Sequence, residues 1–159
     1  MKRFLAIFLL SIIVTSCKST STVTSTKLDN KKEVMLKGDW TITSVDYTGK
    51  EYFNVNSFNI GDSKCLIGSH WNFISNNNKG QMSLNNPSTN CLEFSSPITW
   101  YVNKEDKFVL KIINNHKAKD VSDGYILDLR DITESSFILV DKINVAGSVK
   151  DITYTFQRK

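Results

Sequence analysis

Lys37-Gly38-Asp39-Trp40-Thr41-Ile42-Thr43-Ser44-Val45-Asp46-Tyr47 alternates as a half-buried strand does, with Trp40, Ile42 and Ser44 on one face and Thr41, Thr43 and Val45 on the other. It opens with Gly-x-Trp. Gly38, lacking a Cβ, lets another backbone pass closely, and Trp40 supplies a large apolar plug. The motif is short, and its weight comes from its place at the head of the first of about eight strand-like segments.

The segments that follow read nearly all as strand. Residues 69–75 carry Trp71 and Phe73 on one face, 76–79 form an Asn-rich turn, and 80–85 return with Met82 and Leu84 aligned. Residues 97–103 set Ile98, Trp100 and Val102 to one side, and 107–113 align Phe108, Leu110 and Ile112. Residues 124–131 align Tyr125, Leu127 and Leu129; residues 135–142 centre on Phe137-Ile138-Leu139-Val140. The last strand, 148–158, aligns Ile152, Tyr154, Phe156 and Arg158. No stretch of ten or more residues shows a helical period, and a short helix is expected within residues 53–64.

Connection lengths decide how these strands are joined. About 20 residues follow the first strand, then a tight turn, about 11 residues, a tight turn, about ten residues and another tight turn. In an up-and-down antiparallel barrel alternate connections lie at opposite ends, so this order predicts one tight floor and one looped mouth. Mouth loops are where ligands enter such barrels. Closure pairs the last strand with the first and sets Arg158 beside Trp40 at the floor, both on the inward parity. Stacked, the pair would contribute about 0.5–2 kcal/mol; the alternative is a terminal arginine in solvent.

Gly38-Asp39-Trp40 at the head of strand one, eight strands and an Arg near the end of the last resemble the lipocalin and calycin barrels. Cys65-Leu66-Ile67-Gly68-Ser69-His70-Trp71-Asn72-Phe73, followed by an Asn-rich turn, is similar to the small lipocalin-like lipoproteins of Bacteroidetes-type bacteria. The resemblance spans residues 36–159 and implies binding of small apolar molecules. The chain departs from typical lipocalins in lacking the Thr-Asp-Tyr motif and the helix after the barrel.

Before the barrel, Lys2 and Arg3 precede an apolar run, residues 4–14, too short to span a bilayer and suited to a secretory signal. It leads into Val14-Thr15-Ser16-Cys17, which resembles a bacterial lipobox and implies cleavage before Cys17 and acylation of it. The alternative is an ordinary signal peptide. Residues 1–16 are thus read as a lipoprotein signal, 17–35 as lipidated cysteine and polar tether, and 36–159 as the barrel domain. Lys18 after the cysteine fits the sorting pattern of outer-membrane lipoproteins, giving a lipid-anchored protein of the bacterial envelope.

Losing Lys2 and Arg3 takes the formal charge from +4 to +2, with the basic residues scattered, so nucleic acid is not an expected partner. With Cys17 lipidated, Cys65 and Cys91 remain as an even pair in an oxidising compartment. A disulfide between them closes a loop of about 27 residues and contributes about 3–4 kcal/mol; the alternative is two buried thiols. His70 and His116 lack metal-ligand spacing, and Asp120 and Asp123 lack the closing Glu of a calcium loop, so no metal or other cofactor is expected. Ser69 and His70, adjacent on a strand, point to opposite faces and cannot pair as nucleophile and base.

The aromatic residues are the constellation that could bind. Trp71, Phe73, Trp100, Tyr154 and Phe156 fall on inward faces, either as the wall of a cup or as a packed core. The expected function is a non-enzymatic, membrane-tethered barrel that binds a small apolar or amphipathic molecule. The alternative is a protein-interaction module, such as an inhibitor of an envelope enzyme, that uses the mouth loops.

Overall fold

Period-two burial runs through nearly every strand and closes the sheet on itself. The structure, a computed structural model, describes residues 30–49, 54–85, 91–114, 116–122, 124–145 and 147–159. Helix α1 is Asn30–Leu36, followed by β1 Gly38–Tyr47, the two-residue strands β2 Asn56–Ser57 and β3 Gly61–Asp62, and a 3-10 turn Ser63–Leu66. Then come β4 His70–Ile74, β5 Lys79–Leu84, β6 Phe94–Val102, β7 Lys107–Ile112, β8 Tyr125–Arg130, β9 Ser136–Val145 and β10 Ser148–Arg158.

Strands β1 and β4–β10 form a closed barrel in which each pairs antiparallel with its sequence neighbour, β1 closing the ring between β4 and β10. This is the eight-stranded up-and-down architecture that the connection lengths predict. The β4–β5, β6–β7 and β8–β9 turns lie at the floor, with the start of β1 and the end of β10, while the short β9–β10 connection lies at the mouth. Closure leaves no exposed edge along the ring.

Just beyond its last pair with β4, β1 breaks register with β10. Trp40, Thr41 and Ile42 pair with Arg158, Gln157 and Phe156, and then a bulge lies between Ile42 and Ser44. One extra residue shifts the parity. The inward set is therefore Trp40, Ile42, Val45 and Tyr47, not Trp40, Ile42 and Ser44 as the alternation suggests. Two glycines permit close approach. A Cβ on Gly38, which has φ +121°, would stand 2.7 Å from Arg158 Nη1, and one on Gly80 would stand 2.2 Å from the Asn72 carbonyl oxygen.

The floor is sealed by a helix inside the stretch that the sequence reads as tether. Seven residues cannot hold a helix in isolation, so tertiary contacts make it. Leu36 is fully buried, and its carbonyl accepts from Trp40 Nε1 at 2.8 Å. The buried carboxylate of Glu33 accepts from the Val102 backbone N–H at 3.0 Å. Arg158 places its guanidinium carbon 4.1 Å from the Trp40 ring centroid and donates to the carbonyls of Met35, Lys37 and Glu134. One side chain thus ties α1, the head of β1 and the β8–β9 turn together.

Candidate functional site

The barrel divides into a solid lower half and a mouth half. In the lower half rings interlock: Trp40 meets Phe137 edge-on at 4.7 Å, Phe137 stacks on Phe156 at 4.4 Å, and Phe73 meets Trp100 at 5.0 Å. Trp71, Phe73, Trp100, Tyr154 and Phe156 all face inward with no more than 2% of their surface exposed. The structure places these five in packed interior, with side chains filling the lumen as in other barrels of this size.

The mouth is partly stoppered by the segment after β1. The sequence suggests a helix there; within 54–66 the structure has the β2–β3 hairpin and then one 3-10 turn. Ile60 N–H donates to the Ser57 carbonyl at 3.0 Å, and the two residues between, Phe58 and Asn59, both have φ +55°. A type I′ hairpin turn demands this, at a penalty for a residue with a bulky side chain. Phe58 tolerates it because its ring is buried across the lumen, 5.0 Å from Tyr125, 5.3 Å from Tyr154 and 6.2 Å from Trp71. Two hydroxyl pairs hold the segment down: Ser57 Oγ to Tyr154 OH at 2.6 Å, and Ser63 to Tyr47. The Cys65–Cys91 disulfide, with Cα atoms 5.5 Å apart, ties it to the segment leading into β6.

Above Phe58 the inward side chains change character. Phe94, Ile112, Tyr125 and Ile143, from β6, β7, β8 and β9, keep the inward parity yet stay only partly buried. Register supplies one further wall. Tyr47 of β1 pairs with Ile152 of β10, which pairs with Asp141 of β9; one row deeper, Val45, Tyr154 and Leu139 align the same way. Asp141 follows Phe137 and Leu139 on the inward face, so a carboxylate stands in an apolar rim. Burial pushes its carboxyl above the ordinary carboxylate value, partly offset by a backbone hydrogen bond from Lys142. Burial also raises the Tyr154 phenol, as do Asp141 and Tyr47 beside it, against the Ser57 hydrogen bond.

Asp128, on the outer face of the same sheet, has the opposite setting. Lys107, Lys142 and Arg130 all reach its carboxylate, the last two at 2.9 and 3.2 Å, and hold its carboxyl well below the usual range. Among the described residues no cationic side chain ion-pairs with Asp141.

The remaining sequence candidates are structural or lie elsewhere. Ser69 Oγ donates to the Leu66 carbonyl and accepts from Trp71 Nε1 at 2.8 Å, while His70 contacts Lys159 on the outer face. His116 is exposed in a loop. Among the described residues no group of three or more His, Cys, Asp or Glu could hold a metal ion, and no helix is long and apolar enough to cross a membrane. Cys17 lies outside the described residues. A crevice of about 90 Å³ beside the disulfide, lined by Ile60, Leu66, Leu84 and Leu92 among others, is too small for a ligand of ordinary size, which needs ~300–1,000 Å³.

Tyr47, Phe58, Tyr125, Asp141 and Ile143 were not singled out by the sequence as a site. The signal for Asp141 is its alternation with Phe137 and Leu139; none exists for Phe58, whose loop position hides a buried ring.

No protein-family model matches this chain, and no curated protein sequence matches it. Among solved structures it is similar to the complex of bovine odorant binding protein with a selenium-containing odorant, at 9% identity and a TM-score of 0.47 over 80% of this chain and 72% of that one. It is similar also to the odorant-binding protein from bovine nasal mucosa (9%, 0.46, over 79% and 72%) and to lobster apocrustacyanin A1 (11%, 0.44, over 84% and 71%). The barrel stands on its own strand pairing.

Proposed function

We propose that this chain is a non-enzymatic binding protein that holds a small apolar or amphipathic molecule in the mouth half of its barrel. The observation that carries the reading is the change at Phe58: below it rings are packed to exclusion, and above it four inward apolar side chains stay only partly buried. Partly exposed apolar surface on the inward face is what a ligand can desolvate. Phe58 supplies the base, Tyr125 and Ile143 a wall, and Asp141 with Tyr47 a polar margin that can fix orientation. The disulfide and the two Ser–Tyr pairs hold this base in place, so the site is largely preformed.

The N-terminal residues complete the proposal: acylation of Cys17 would anchor the protein in the bacterial envelope, at the outer membrane given Lys18. Residues 17–29 would then serve as tether. Cys17→Ala should abolish detergent-phase partitioning of the protein, and unchanged partitioning would remove the anchor from the account.

Native mass spectrometry of the chain purified from its own host tests the binding function. A stoichiometric small-molecule adduct, lost in Tyr125→Ala, is expected. The packed interior favours one second reading, a protein-interaction module that presents the braced mouth to an envelope partner. A bare mass together with a stoichiometric co-purifying protein would support that reading and reject the first.

A further inference from the structure

We propose that Asp141 anchors the mouth ligand, and that this ligand carries a cationic nitrogen beside an apolar or aromatic body. The inference rests on the mouth-binding reading and adds the ligand's chemistry to it.

Three observations converge. The first is placement: Asp141 stands on the inward face of β9, in one row with Ile152 and Tyr47 and diagonal to Tyr154. The second is that, among the described residues, no cationic side chain ion-pairs with it. Among the described residues, the charged and titratable groups on the strands around it are Tyr47 of β1, Tyr154 and Lys150 of β10, Tyr125 of β8, and its chain neighbour Lys142. Tyr154 and Tyr47 already pair their hydroxyls with Ser57 and Ser63. Lys142 ion-pairs with Asp128 on the outer face. Lys150 leans over Gly49, where an added Cβ would lie 3.4 Å from its Nζ.

The third is what a ligand would do to the carboxylate. Any molecule bound against the inward face at Asp141 strips water from a carboxylate that burial already disfavours in its charged form. A neutral apolar ligand would leave that charge without a partner, and an anion would add repulsion. An ammonium group restores the lost hydrogen bonds with a charge-assisted one. The barrel thus keeps, at a position where Leu or Ile would suit the fold better, a charge that no described cationic side chain balances and such a ligand would.

Isothermal titration of the full chain with three indoles of one shape tests this: tryptamine as the cation, tryptophol as the neutral analogue and indole-3-acetate as the anion. Tryptamine should bind at least about tenfold tighter than tryptophol, and in Asp141→Asn the two should fall within about twofold. Asp141→Glu, which keeps the charge, should retain the preference, as should Glu105→Gln at the floor turn. Binding without charge preference, or a preference that survives Asp141→Asn, would overturn the assignment of Asp141 and leave the mouth-binding reading intact. Binding of none of the three would also overturn it, and the mass-spectrometric adduct then decides the mouth reading separately.

Discussion

Truncating Trp40 and Arg158 should reveal one shared interaction. Trp40 has no exposed surface, packs edge-on against Phe137 at 4.7 Å and donates its indole N–H to the Leu36 carbonyl. Trp40→Ala removes all of this and leaves a cavity where the helix docks, a loss of about 3–5 kcal/mol. Arg158 is exposed, so water competes for its three backbone acceptors and Arg158→Ala should cost about 1–3 kcal/mol. That exceeds the ring contact alone because the carbonyls of Met35, Lys37 and Glu134 lose their donor as well. Since Cζ lies 4.1 Å from the ring, the double variant should fall short of the sum by about 0.5–2 kcal/mol. Arg158→Lys keeps the charge but not the planar fork and should recover little. The assay is equilibrium urea unfolding of the full chain in non-ionic detergent, followed by near-UV circular dichroism. Full additivity of the two losses would refute the argument, because it would mean that the residues act on separate parts of the floor.

Three further outcomes are expected. Replacing Cys65 and Cys91 together by Ser should lower stability by about 2–4 kcal/mol, with hydrogen exchange accelerating across residues 55–69 and the floor strands keeping their protection. Gly80→Ala should lose about 1–3 kcal/mol in thermal melts, since its Cβ would collide with a β4 backbone oxygen that cannot yield. Asp141→Asn should stabilise the empty protein near neutral pH: the folded-state carboxyl is raised above its ordinary 3.8, so the ionised form opposes folding. This penalty is complete above the folded value and vanishes as pH falls through it towards 3.8, so the variant's advantage in melting temperature should shrink across that acidic window.

The barrel was legible because a strand's period of two and alternating loop lengths are both written directly in the chain. Residues 148–158 fall at the bounds of β10, and the Arg158–Trp40 pairing follows from antiparallel closure alone. What escaped depends on tertiary contacts. The β1 bulge leaves no mark in composition, yet it turns Tyr47 inward and so supplies part of the mouth. Helix α1 is charged and short, and forms only because Glu33 and Leu36 find partners on the barrel. β9 was expected to end at residue 142, but it continues to Val145 and carries Ile143 into the mouth. The most consequential feature, Phe58, sits in a loop with a backbone conformation that its residue type disfavours. Only burial among rings from three strands explains that position.

A crystal structure of the chain purified from its own host, with no extraction step, tests most directly whether the mouth holds a ligand. The account predicts density for a small molecule lying on the Phe58 ring between Tyr125 and Asp141, with the packed interior below unchanged. A mouth occupied only by water, or small-molecule density at the floor beside α1 instead, would contradict it.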